Sequence, residues 1–210
     1  MKTFLLIIVT LVTTSFGLST KYEQQMLKHI AALYVANSPE KFQELSNAFD
    51  RIAMVEKDKW EPYYYSAYSI IIWSYGVSEV SEKDKLLDHA LEKINSAARL
   101  APNESEIIAL EGFIHMSRVN IDPASRGAQY SSLALETYGK ALAINPENPR
   151  AMLLMGQMQY GTAQFFGSNT NEACDLIKNA LNRFETYEND NPLAPKWGKG
   201  QAEAAVAKCE

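Results

Sequence analysis

Apolar residues recur along the chain at helical spacing, and one arrangement of them occurs several times. Ala134, Tyr138 and Ala141 lie at positions i, i+4 and i+7, so they share one face of a helix. Pro146 follows five residues later and cannot continue that helix. The same spacing occurs in two further stretches, at Ala90, Ile94 and Ala97 and at Ala173, Ile177 and Ala180. A unit that recurs in this way predicts a repeat protein.

A second pattern precedes these helices and defines the first member of each helix pair. It reads large, two spacers, large, small, two spacers, large, as in Leu27, Ile30, Ala31 and Tyr34. Gly112 and Gly156 take the small position in later units. Together the two patterns resemble the tetratricopeptide repeat, in which the small residue lets two helices approach closely. The resemblance covers roughly residues 26–184.

The resemblance implies an all-α fold, a right-handed α-solenoid of about four degenerate helix pairs followed by a C-terminal capping helix. Ala90 and Ala134 are 44 residues apart, whereas a standard repeat has about 34 residues. We therefore expect longer helices in the second unit and a long loop at 119–127 in the third. Helix starts are predicted from capping residues and prolines at Ser38-Pro39, Asp58, Ser81, Asn103, Asp122-Pro123 and Asn148-Pro149.

The chain divides into three segments by composition. Residues 1–19 read as a signal peptide, with Lys2 before an apolar stretch at 3–14 and small residues that allow cleavage after Gly17 or Ser19. An uncleaved anchor or a buried first helix is the alternative. Residues 20–190 are assigned to the solenoid. Residues 191–210 form a proline-containing connector and a short helix, which we expect to cap the solenoid together with Trp197.

Export determines how the two cysteines are interpreted. Cys174 and Cys209 are an even pair in an oxidising compartment, and neither belongs to a metal-binding cluster. We expect a disulfide that fixes the C-terminal helix, with two free thiols as the alternative. The chain resembles small exported tetratricopeptide proteins of the Bacteroidetes kind, which implies a periplasmic or secreted location.

The net charge and the motifs of the chain argue against several classes of function. The net charge of −5 and the absence of a basic run argue against nucleic acid as a partner, and no transmembrane span is expected in the mature chain. The three histidines fall in different repeats and match no catalytic or metal motif. We expect neither an enzyme nor a cofactor or metal, and we interpret His115 as a core residue, with a hydrolase site near it as the remote alternative.

Aromatic residues are concentrated on one predicted first helix. In tetratricopeptide arrays the first helices line the concave face, so the resemblance implies a partner-binding groove lined by Tyr64, Tyr65, Tyr68, Ile71, Phe113, Met116, Gln157 and Tyr160. Tyrosine suits such surfaces because it combines large area with a polar tip. The alternative is that these residues belong to the core or are covered by a long loop.

The predicted function is therefore a non-catalytic scaffold of the cell envelope that binds a protein or peptide in this groove. Two alternatives stay open. The groove would equally suit an apolar small molecule or a lipid. Self-association of a structural protein through the same face would give a homo-oligomer.

Overall fold

The computed structural model describes residues 20–209, and the regular secondary structure in that range is helical. The predicted signal peptide and the last residue lie outside it. The helices of the described range are α1 (Lys21–Tyr34), α2 (Pro39–Val55), α3 (Glu61–Tyr75), α4 (Val80–Leu100), α5 (Ser105–Ile121), α6 (Pro123–Ile144), α7 (Pro149–Phe165), α8 (Asn171–Thr186) and α9 (Lys199–Val206). None of them is both long enough and apolar enough to cross a membrane.

Successive helices pack against each other, and the first helices of neighbouring pairs also touch. Helix α3 contacts α5, and α5 contacts α7, so the odd-numbered helices form one continuous layer. This arrangement is the predicted solenoid of four helix pairs followed by a ninth, shorter helix. Each pair buries its apolar face against the next pair, which is how repeat proteins obtain their core.

Three helix starts follow the proline rule. Proline occupies the first position of α2, α6 and α7, and the side chains of Ser38, Asp122 and Asn148 accept hydrogen bonds from the first-turn amides. These starts agree with the prediction. A proline at this position has no amide hydrogen, so it leaves no unpaired donor there.

The capping residues predicted for three other helices, and one predicted loop, are wrong. Helices α3 and α4 begin without any side-chain cap, and α5 is capped by the carboxylate of Glu104 instead of Asn103. The stretch 119–127 is helical except at Asp122, because α5 continues to Ile121 and α6 begins at Pro123. The extra length of this repeat is therefore taken up by its helices.

The recurring small and large positions pack as predicted. Ala134, Tyr138 and Ala141 are fully buried. A Cβ atom placed on Gly112 would overlap the ring of Tyr138, and one on Gly156 would come within 2.8 Å of Ile177. Glycine is needed at both positions because these helices approach so closely.

Helix α9 closes the C-terminal end of the solenoid. Its Ala202 and Ala205 pack on Leu153, Ile177 and Ala180 of the last helix pair. Cys174 of α8 and Cys209 form the predicted disulfide, with 5.6 Å between their Cα atoms. The predicted cap is thus present, but Trp197 is not part of it.

Candidate functional site

The segment 191–198, which we call the C-terminal strap, crosses the face formed by the odd-numbered helices. It connects the last repeat to α9 without regular secondary structure. Its apolar side chains are almost fully buried, with Leu193 2% and Trp197 6% exposed. The strap therefore belongs to the core of the protein, and it begins with a turn in which the amide of Ala194 donates to the carbonyl of Asn191.

Trp197 is enclosed by aromatic residues of two first helices. Its ring stacks on Tyr68 of α3 and on Phe113 of α5, with centroid separations of 5.0 and 6.0 Å. Its indole Nε1 donates a hydrogen bond of 3.0 Å to the hydroxyl of Tyr64. Because the ring is buried on both faces and its single donor is satisfied, Trp197 anchors the strap.

The rest of the strap is held by hydrogen bonds to α3 and α1. The hydroxyl of Tyr65 donates a hydrogen bond of 2.7 Å to the carbonyl of Leu193, and the side-chain amide of Asn191 donates one to Glu61. The backbone amide of Lys196 donates to the hydroxyl of Tyr34, in the first helix. The strap thus joins the first and second repeats to the C-terminus of the chain.

A buried ion pair lies beneath the strap. Nε and Nη2 of Arg150 donate to the two carboxylate oxygens of Glu106 over 2.7 and 2.8 Å, and both side chains are 3% exposed. Nη1 of Arg150 donates to the carbonyl of Trp197 over 3.1 Å. Burial by itself opposes the charge of Arg150, but Glu106 outweighs it and raises the pKa of the guanidinium. The guanidinium therefore stays charged and holds the strap through the carbonyl of Trp197.

The predicted groove is filled by the chain itself at four of its eight positions. Tyr64, Tyr65, Tyr68 and Ile71 are buried, and burial raises the pKa of each of the three tyrosines. The expectation of an open groove there is corrected, because the strap occupies the space. The alternative of a covering segment describes this structure better, although the cover is the C-terminal strap and not a loop between helices.

The other four predicted positions do not form an open groove either. Phe113 is covered by Trp197. The sulfur of Met116 accepts a hydrogen bond from Tyr138, so it faces α6. The hydroxyl of Tyr160 donates to the carbonyl of Lys208, and Gln157 is half-buried. The more exposed aromatic side chain beside this set is Tyr75, which is 48% exposed and lies 6.3 Å from Phe113.

His115 is in a packed position. Its ring stacks on Tyr130 of α6 at 6.2 Å, and its Nε2 lies 3.9 Å from a carboxylate oxygen of Glu111. The buried Nδ1 has no hydrogen-bond partner among the described residues. Within residues 20–209 no group of three or more potential metal ligands comes together.

An open cavity lies at the other end of the solenoid, between α1 and α2. Its volume is about 670 Å³, within the range of roughly 300–1,000 Å³ that is typical of small-molecule sites. Its apolar wall is made mostly of small side chains, and its polar residues include His29, Lys41 and Arg51. The apolar residues that line it are Ala32, Val35, Ala36, Leu45 and Ala48.

The electrostatics of this cavity favour a neutral imidazole and an anionic ligand. Burial, with smaller contributions from the charges of Lys28 and Arg51, lowers the pKa of His29. Lys41 is paired with Glu44 over 2.7 Å. Arg51 makes no ion pair with any residue in the described part of the chain. An uncompensated guanidinium is therefore available at the rim.

Sequence reasoning missed this cavity. In the sequence His29 is one of three scattered histidines. The residues that line the cavity with it, Leu45, Ala48 and Arg51, lie on the next helix. The sequence feature that indicates this cavity is the small residue Ala48 in α2. A short side chain at this position leaves space between α2 and α1. A second concavity of about 510 Å³ lies outside the strap, where Lys196 and Lys199 are balanced by Glu188 and Asp190.

Known proteins match the chain by structure. The HusA haemophore from Porphyromonas gingivalis is 30% identical and superposes with a TM-score of 0.82, covering 92% of this chain and 95% of that chain. A thermophilic tetratricopeptide protein of Thermus thermophilus, TTC0263, is 19% identical with a TM-score of 0.60, covering 89% of this chain and 80% of that chain. The second likeness supports the repeat fold alone. Neither a protein-family profile nor a curated protein matches the sequence.

Proposed function

The chain belongs to the family of the HusA haemophore, and from that membership we propose that it is a non-catalytic carrier that binds haem or a closely related porphyrin. The match extends over 92% of this chain and 95% of that chain. This shared length is the observation that carries the proposal. The apolar small-molecule alternative from the sequence is therefore preferred over the protein scaffold.

The chemistry of a porphyrin explains what such a carrier needs. The ligand is a flat apolar ring with two carboxylates at one edge, and in haem an iron atom lies at its centre. A binding site must therefore offer an apolar concavity with a few placed polar groups, here cations for the carboxylates. Haem-binding proteins often add an axial side chain such as histidine, methionine or tyrosine.

Export of the protein fits this role. A carrier that acts outside the cytoplasm needs a signal peptide, which we propose for residues 1–19, and the Cys174–Cys209 disulfide fits an oxidising compartment. Mass spectrometry of the native protein should find its first residue between Leu18 and Lys21. An intact Met1 in the native compartment would contradict export with cleavage.

The test of the main function is a titration with haemin. The mature, oxidised protein should give a saturable change in the Soret absorption with one haemin per chain. The same protein, reduced and unfolded in urea, is the control for non-specific association of haemin with apolar sequence. A change that never saturates, or one that survives unfolding, would contradict the proposed function.

A peptide-binding function is the second candidate, and the strap is the observation that favours it. The face of the odd-numbered helices already accepts one segment without regular secondary structure through Tyr64 and Tyr65, and a partner peptide could bind in its place. If a partner peptide replaces the strap, then Trp197→Ala should increase capture of envelope proteins relative to wild type. Equal capture by the two proteins would reject this candidate.

A further inference from the structure

We propose that the cavity between α1 and α2 is the porphyrin site, with the ring on the apolar wall and a carboxylate at Arg51. This inference rests on the proposed function and adds the location. The concave face is filled by the strap, so it offers no comparable space at Tyr64 and Tyr68. The cavity at the N-terminal end is open and of suitable volume.

The shape of the wall fits a flat ring. Ala32 in α1 and Ala36 just after it line the cavity together with Leu45 and Ala48 of α2. The wall is therefore built mainly from short side chains. Short side chains leave a smooth surface, against which a planar ligand makes many dispersion contacts without displacing a protruding group. The side chain of Val35 is largely exposed at the edge of this wall, and a bound ring would cover it.

Charge at the rim selects for an acidic ligand. The chain as a whole carries a net charge of −5, yet the residues around His29 include Lys28 and Arg51, whose charges act on its imidazole. Neither cation forms an ion pair with a described residue. Of these two, Arg51 lines the cavity, where Lys41 is paired with Glu44, so the guanidinium of Arg51 can pair with a carboxylate of the porphyrin.

The second concavity is a weaker candidate. Its lysines Lys196 and Lys199 are accompanied by Glu188 and Asp190, and Lys199 lies 3.7 Å from the carboxylate of Glu185. Its charges are thus largely balanced within the protein. This difference supplies the controls for the experiment.

The experiment compares two variants of the cavity with two matched controls. Ala32→Trp fills the cavity, while Ala31→Trp places the same side chain one residue away on the exposed surface of α1. Arg51→Glu reverses a rim charge, while Lys196→Glu makes the same change of net charge at the second concavity. All four positions are exposed, so the fold should be retained, and thermal unfolding checks this. The probes are haemin and metal-free protoporphyrin.

The expected result is a loss of affinity for both probes of about tenfold or more in Ala32→Trp and Arg51→Glu. Ala31→Trp and Lys196→Glu should bind as wild type does.

The results that would contradict the location can be distinguished from those that would contradict the function. If wild type binds haemin and all four variants bind it equally, the location is overturned and the proposed function stands. Weakening in Lys196→Glu alone would place the ligand in the second concavity and overturn the location as well. If wild type binds neither probe, the proposed function fails, and the location fails with it.

Discussion

The indole of Trp197 donates a hydrogen bond to the hydroxyl of Tyr64, a residue 133 positions earlier in the chain. The bond is buried, and the same indole is stacked against Tyr68 and Phe113. One side chain of the strap therefore completes the interior of the second and third repeats. This contact explains part of the aromatic content of α3, since Tyr64, Tyr65 and Tyr68 form the surface on which the strap packs.

Removal of this side chain should be costly. Trp197→Ala deletes a buried aromatic ring, for which losses of about 3–5 kcal/mol in the free energy of unfolding are typical. Trp197→Phe keeps an aromatic ring in the stack and loses the hydrogen bond to Tyr64 and part of the buried ring, so it should cost less. Urea unfolding followed by circular dichroism measures both variants. A cost below about 1 kcal/mol for Trp197→Ala would show that the strap does not contribute to the core.

The buried ion pair gives a prediction with a built-in control. Arg150→Met leaves the carboxylate of Glu106 buried without its partner, and breaking such a pair typically costs about 3–5 kcal/mol. The double variant Arg150→Met with Glu106→Leu removes both charges and should cost less than the single variant. If the double variant is the less stable one in urea unfolding, the ion pair itself is the stabilising element and the argument from desolvation is wrong.

The glycines at helix crossings can be tested by the smallest possible change. Gly112→Ala places a methyl group against the ring of Tyr138 and should destabilise by about 1–3 kcal/mol through overpacking. Gly139→Ala is the matched control, because nothing lies within 4 Å of its Cβ position in α6. It should gain up to about 1 kcal/mol, since alanine favours a helix. Differential scanning calorimetry compares the two, and equal effects would contradict the close crossing.

Reduction of the disulfide should lower stability. The loop between Cys174 and Cys209 spans 35 residues, and the chain-entropy treatment gives roughly 3–4 kcal/mol for a loop of that size. Urea unfolding with and without dithiothreitol measures the difference, and Cys174→Ala with Cys209→Ala, unaffected by dithiothreitol, is the control for the reductant. Two titratable thiols in the unreduced native protein would refute the bond.

His29 provides a prediction on ligand chemistry. If the porphyrin occupies the α1–α2 cavity, the imidazole of His29 is the side chain that would reach the iron. His29→Ala should then weaken the binding of haemin more than the binding of metal-free protoporphyrin. The pKa of His29 is lowered from its ordinary value of 6.5, so the imidazole stays mostly neutral at pH 6.5. Haemin affinity should therefore hold down to that pH and fall only below it. Equal weakening of both probes would exclude contact with iron.

The sequence was informative wherever a residue's neighbours lie nearby in the chain. The faces at Ala134, Tyr138 and Ala141 follow from helical periodicity, and the starts at Pro39, Pro123 and Pro149 follow from the missing amide hydrogen. The repeat resemblance then gave the stacking order. Each of these inferences needs only local spacing and a known pairing rule.

The candidate site was less accessible because it depends on contacts between distant segments. Nothing in the spacing of Trp197 shows that it lies on Tyr68, since the prolines beside it fix an extended backbone but not its direction. The tyrosine-rich helix accordingly looked like an open binding surface. Likewise Arg51 becomes a candidate ligand-binding residue only because α2 places it beside His29 without a counter-charge.

The strap also changes how the molecule must unfold. In an ordinary repeat array each unit touches only its neighbours, so end units can fray independently and folding can begin anywhere. Here Tyr34 of the first helix is bonded to Lys196, and Arg150 of the last repeat is bonded to Trp197. These long-range links make the four repeats one cooperative unit and slow its formation, since distant segments must meet. The repeats can therefore complete their packing only after the strap at 191–198 has been synthesised.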